Sequence, residues 1–211
     1  MTYEKRLRVS IVVTAVLYCV GIFGLLSPWK DLFILTTPVT LLISAGLLIW
    51  NHPQPKMGFY LFILLCFVVG FLVEYLGVNY QLIFGRYQYG NTLGLKLWNV
   101  PLMIGVNWFI TVYAISVVLY GRLKPLLFVI VSAFAATSLD WVMEPVAVTY
   151  DFWSWDGGLI PLSNYIGWFF VSAILFWAYG VFDLREKNRF AFWFLVIELL
   201  FFVALNLADR I

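Results

Sequence analysis

Seven stretches of this chain run for roughly twenty residues with scarcely a charge: 8–27, 32–51, 58–78, 98–120, 125–147, 161–182 and 189–208. About twenty apolar residues is the length a helix needs to cross the ~30 Å hydrocarbon core of a bilayer. Backbone N–H and C=O groups in lipid are satisfied only within helices or closed barrels, and continuous runs of this length suit the helix. Composition points the same way. Hydrophobic residues make up 64% of the 211 and charged residues only 11%, with a mean hydropathy of +0.95, whereas a soluble domain is about 25% charged. The expected fold is all-α: a polytopic membrane helix bundle of about seven transmembrane helices. The first run follows a basic stretch, as a signal peptide would. It is too long for an h-region and lacks an A-x-A-like end, so it reads as the first span. No repeat or linker interrupts the chain, and 1–211 reads as a single transmembrane domain.

Charge sets the expected orientation. If the seven runs alternate, nine basic residues fall on the side of the N-terminus: Lys5, Arg6, Arg8, Lys56, Arg122, Lys124, Arg185, Lys187 and Arg189. Lys30, Arg86, Lys96 and Arg210 fall on the other. Basic residues favour the cytoplasmic face, which predicts a cytoplasmic N-terminus in the cell (inner) membrane. A net charge of +2 is too small to draw nucleic acid. Cys19 and Cys66 stand alone within apolar runs and read as small buried hydrophobes.

The acidic residues are the anomaly. Glu74 lies near the outer end of the third run, and Asp140 and Glu144 lie near the outer end of the fifth. No lysine or arginine shares either helix, and ionisable groups within a membrane mark function by default. Ser132, Ala136, Asp140 and Glu144 are spaced by four and share one helix face. Gly70, Glu74 and Gly77 form a small-residue stripe where a neighbour can approach closely. Asn164, Trp168 and Ser172 line a similar face of the sixth run, and Asn99, Asn107 and Thr111 of the fourth. Asp151 and Asp156, flanking Trp153 and Trp155, suit an interfacial loop as well as a pocket. The two tryptophans can be interface anchors or a roof over the acids. Glu198, alone in the seventh run, suits a hydrogen-bonded structural role. His52 is the sole histidine, in an Asn-His-Pro turn on the opposite side, which leaves no histidine base or histidine-rich metal site among the acids.

Carboxyls among aromatic rings, without histidine, suit acid chemistry on an apolar substrate. A protonated carboxyl can deliver its proton to an electron-rich alkene. Surrounding aromatic faces then stabilise the cation, by about 2 kcal/mol or more when desolvated. Water gives hydration, an internal alkene gives cyclisation, and proton loss gives isomerisation. A membrane prenyltransferase would need two Asp-rich magnesium–diphosphate motifs. A retinal receptor would need a lysine in the last span. Neither is present.

The ordered blocks GFLVEYLGVNYQLIFGRYQYGNTLG, VPLMIGVNWF, DWVMEPVA, W-S-W and IPLSNYIGW span roughly residues 70 to 170. They resemble the carotenoid biosynthesis membrane-protein family, which includes carotenoid 1,2-hydratases of the γ-carotene 1'-hydroxylase type and bisanhydrobacterioruberin hydratase. The resemblance implies a carotene with an acyclic ψ-end as substrate, held within the bilayer, and a tertiary alcohol as product. Water is the implied co-substrate, without metal or redox cofactor. Glu74 matches the family's G-F-x-x-E block, Asp140 and Glu144 its D-x-x-x-[DE]-P block, and Asn164 and Trp168 its N-[YF]-x-G-W block. On this reading Asp140, Glu144 and Glu74 are catalytic. Asn164, Trp168, Trp153, Trp155, Tyr87, Tyr89 and Asn107 bind substrate or water, and Asp140 is the first choice as proton donor. Association with other carotenoid-pathway enzymes is an expected partnership. Carotenoid cyclisation and non-catalytic carotenoid binding are the alternatives. The chain departs from the pattern at Tyr80–Gln81, where Thr-Gly is expected.

Overall fold

A computed structural model describes residues 1–185 and 187–208. Among these, the helices are α1 (Tyr3–Leu25), α2 (Lys30–Ile34), α3 (Thr37–Asn51), α4 (Met57–Tyr80), α5 (Leu102–Leu119), α6 (Pro125–Thr149), α7 (Leu162–Phe182) and α8 (Arg189–Ala208). Four short strands lie between them: β1 (Tyr87–Tyr89), β2 (Lys96–Leu97), β3 (Val100–Pro101) and β4 (Trp153–Trp155). The protein is an all-α membrane bundle, with six helices long and apolar enough to cross a bilayer.

The expected second span, 32–51, is broken into α2 and α3. Pro38 has no N–H to return to the carbonyl of Ile34, and neighbouring threonine hydroxyls bond back to the main chain at the break. Thr36 Oγ1 donates to Phe33 O at 2.6 Å, and Thr37 Oγ1 donates to Ile34 O at 2.7 Å. The remaining helix has 15 residues, a rise of about 22 Å.

Short as it is, α3 runs from one end of the bundle to the other. At its start, Pro38 packs against Gly94 in the segment before β2; this is the upper end, which carries all four strands. At its far end, His52 Nδ1 lies 2.7 Å from the Tyr113 hydroxyl, and Asn188 Nδ2 donates to Leu48 O at 2.9 Å. Arg189 of α8 pairs with Glu4 of α1 at 2.5 Å at this same lower end. Seven helices therefore alternate in direction, as the apolar runs imply. His52, stacked on Phe59 at 3.7 Å, belongs to the lower end and is remote from the acids. The nine basic residues expected to share a side all belong to lower-end segments. Arg210, counted on the other, lies outside the described residues.

At the centre stands α5, in which every residue from Trp108 to Ser116 is buried. A helix apolar on all sides belongs in the interior. Outward-facing Val12, Val16, Leu64, Phe134, Ile174 and Trp177 leave an apolar exterior suited to lipid.

The helix of the fourth apolar run, α5, starts later than that run. Residues 96–101 form a hairpin in which Leu97 pairs with Val100, and the turn residues Trp98 and Asn99 both adopt positive φ, 50° and 68°. Two successive positive φ values are what a tight hairpin turn demands. Asn99 is thus a turn residue and does not share the α5 face with Asn107 and Thr111. Its side chain instead donates to Asn79 Oδ1 at 3.0 Å. The helix of the fifth run, α6, conversely passes through Pro145 and continues to Thr149.

Candidate active site

Two three-residue strands build a lid over the acidic residues. Antiparallel β1 and β4 pair Tyr87 with Trp155, Gln88 with Ser154, and Tyr89 with Trp153. Side chains alternate across a strand, so the two tyrosines and two tryptophans share one face while Gln88 and Ser154 take the other. Trp153 and Trp155 are both buried: they are a roof and not interface anchors. Tyr87 packs against Trp155 at 5.0 Å between ring centroids, and Tyr89 meets Trp153 edge-on at 6.1 Å.

Each strand serves a different carboxyl. From β1, Tyr87 and Tyr89 donate their hydroxyls to Glu74 Oε2 at 2.5 and 2.7 Å. Burial and the neighbouring Glu74 push both hydroxyls well above the ordinary tyrosine range, so they remain protonated donors. From β4, Trp153 and Trp155 donate their indole N–H groups to Glu144 Oε2, both at 3.0 Å. Trp108 of α5 completes Glu74 by donating Nε1–H to Oε1 at 3.1 Å.

Asn164, in the first turn of α7, joins the remaining groups. Its amide nitrogen donates to Asp140 Oδ2 and to Glu144 Oε1, both at 2.9 Å. Glu74 and Glu144 thus accept three donors each. Asp140 accepts one, and its Oδ1 is buried without a hydrogen-bond partner among the described residues. No ion pair among the described residues involves any of the three acids.

Glycine permits this packing where a side chain would not. A Cβ at position 70 would collide with the Trp108 ring, and one at position 77 would lie 2.6 Å from the Tyr87 hydroxyl. The stripe expected to admit a close neighbour admits these two hydrogen-bond donors of Glu74. Trp108 in turn stacks on Trp168 at 4.1 Å and 12°.

The three acids, Asn164, Trp168, Asn107 and the four lid residues border one small cavity of about 20 Å³. That is room for about one water molecule. The spacing of Asp140 and Glu144 on α6, read from sequence, is realised as one buried face together with Ser132 and Ala136. Trp108 was not singled out from sequence, although it directly follows Asn107 in the V-N-W block. A larger cavity of about 650 Å³ lies at the lower end among Arg122, Arg185, Lys187 and Arg189, and none of the three acids borders it. Among the described residues no group of three His, Cys, Asp or Glu side chains is placed to hold a metal ion.

Other residues lie apart. Asp151 is exposed in a turn with φ of 54°, and exposed Asp156 faces Arg86 at 3.9 Å. Tyr80 and Gln81 are also exposed at the end of α4, away from the acid cavity. Gln81 caps that helix with φ of 58°. A left-handed cap favours glycine, which is the residue the family pattern leads one to expect there. That departure bears on a helix end, not on the pocket.

Fold and site define a multi-pass helical membrane protein that buries three carboxyls beneath an aromatic lid. A family model described as carotenoid biosynthesis protein matches residues 33–209, and the chain belongs to that family. No curated protein and no solved structure matches it.

Proposed function

We propose that the protein is a carotenoid hydratase, adding water across the terminal C1–C2 double bond of an acyclic ψ-end. The supporting observation is the asymmetry among the acids. Three donors suit an ionised carboxylate, which can only accept, and Glu74 and Glu144 each have three. Asp140 has one donor on Oδ2 and a buried, unpartnered Oδ1. That arrangement suits a carboxyl carrying its proton on Oδ1, free to give it to substrate.

Asp140 transfers this proton to C2, and the alkene electron pair forms the new C–H bond. C1, the more substituted carbon, becomes a tertiary cation. The ionised Glu74 and Glu144 offset its charge, and the stacked Trp108–Trp168 pair offers a π surface. A water in the cavity attacks C1 and loses a proton to Glu144. Asn164 bridges the two carboxyls, and return of that proton to Asp140 restores the starting state. The net change is alkene plus water to tertiary alcohol. Trp108, Trp153, Trp155, Tyr87 and Tyr89 keep the carboxylates fixed throughout. The whole chain acts as one unit in the inner membrane, with the upper end on the non-cytoplasmic side by the positive-inside bias.

Carotenoids extracted from a lycopene-accumulating host expressing the chain should gain the mass of water. Asp140→Asn keeps the shape but removes the acid, and product should fall at least about 100-fold with membrane protein levels unchanged. A product isomeric with its substrate would instead mark cyclisation or double-bond isomerisation, and undiminished hydration by Asp140→Asn would refute the assignment.

A further inference from the structure

The acid cavity, about 20 Å³, has room for about one water molecule and not for a hydrocarbon chain. The chain must therefore lie in adjoining space, and a second cavity of about 290 Å³ adjoins. Ile104, Asn107 and Trp153 line both. This groove runs between α1, α3 and α8, with Tyr18, Phe33, Phe201 and Phe202 on its walls. Thr36, Thr37 and Thr40 also line it, but their hydroxyls are bonded back to main-chain carbonyls. Val20 and Val39, 49% and 56% exposed, lie on its rim, so it opens sideways toward what in a bilayer is hydrocarbon. Ligand pockets begin near ~300 Å³, a size that admits one terminal segment of a long molecule.

One group is out of place in this wall. Glu198 of α8 lines the groove, is 5% exposed, and its Oε2 is buried with no hydrogen-bond partner among the described residues. The structural hydrogen bond expected for it from sequence is not found at that atom. An unpartnered carboxyl oxygen within a membrane is costly, and a ligand bearing a donor would satisfy it.

We infer that the groove holds one terminal segment of an isoprenoid chain, that a reacting end passes Asn107 to reach Asp140, and that Glu198 accepts a hydrogen bond when the segment in the groove carries a hydroxyl. The reacting end's destination rests on the hydratase reading; the groove's occupancy does not. A hydroxylated isoprenoid is thereby distinguished from its hydrocarbon parent before chemistry begins.

The test uses the full chain carrying Asp140→Asn, so that nothing turns over, purified in detergent from hosts accumulating lycopene or its monohydroxylated derivative. Absorbance gives the ratio of pigment to protein. The parent should retain both pigments. Thr40→Trp within the groove, and Val39→Trp on its exposed rim where folding is least at risk, should each cut retention of both about tenfold. Glu198→Leu should lose the hydroxylated pigment about tenfold and keep lycopene, whereas Glu198→Gln, still an acceptor, should keep both. Full retention in Val39→Trp and Thr40→Trp, or no pigment on the parent, overturns the groove. An unchanged preference in Glu198→Leu overturns the role of Glu198. Pigment retention by a native chain that makes no hydrated product supports the groove and sinks only the hydratase reading.

Discussion

Glu74 shows how much a single residue depends on the absence of another's side chain. Its Oε2 takes the Tyr87 hydroxyl only because position 77 is glycine, where a Cβ would lie 2.6 Å from that oxygen. Gly77→Ala and Tyr87→Phe should therefore inflict the same injury by different routes. Hydrogen bonds to charged groups contribute about 1.5–3 kcal/mol, so each variant should lower kcat/KM by roughly 10- to 100-fold. Because both remove one interaction, the double variant should be little worse than either single one. Measured kcat/KM values for the three variants decide the matter: strictly multiplicative losses would show that Gly77 acts elsewhere. The value of Gly77 is partly legible in sequence, since small residues flanking Glu74 on one face announce a close approach. What approaches is not, because Tyr87 comes from a separate strand.

At the scale of elements, helices were the legible part. An apolar run long enough to cross a bilayer leaves the backbone little choice, and 189–208 read from sequence coincides with α8. The carboxyl stripe of α6 was legible for the same reason, since period four is visible within one helix. The lid was not. Y-Q-Y and W-S-W alternate as strands should, but three residues carry too little pattern, and their pairing joins positions more than sixty residues apart. The break between α2 and α3 depended on hydroxyls beside Pro38, and the Trp98–Asn99 turn lacked the usual glycine. A two-stranded ribbon is marginal by itself; this one is held by four side chains bonded to the acids below. Proline lacks the N–H a paired strand offers. Ser154→Pro should thus abolish turnover while far-UV circular dichroism, dominated by helix, stays unchanged. Ser154→Thr, which suits a strand, should keep most activity. Comparable turnover by the proline variant would show that the lid is dispensable.

The three buried acids and their lid lie at one end of the molecule, and which side of the membrane that end faces depends on whether α3 counts as a crossing. By length it falls short: about 22 Å against a core of ~30 Å. By position it reaches from Gly94 at the upper end to Tyr113 and Asn188 at the lower. Bilayers adapt to such mismatch at a fraction of a kcal/mol per Å, and α2 lies at the upper end to fill part of the remaining depth. Three passes then separate Lys5 from Leu95, through α1, α3 and α4; were α3 not a crossing, only two would. Single cysteines at these exposed positions, in a background lacking Cys19 and Cys66, distinguish the cases with a membrane-impermeant maleimide. Lys5→Cys should label only in inside-out vesicles and Leu95→Cys only in right-side-out ones. Labelling of both in the same preparation would remove α3 from the crossings and reverse every helix after it. The acid cavity would then share the side of Lys5, and Lys56, Arg122, Lys124, Arg185, Lys187 and Arg189 would face the other way, which the positive-inside bias disfavours.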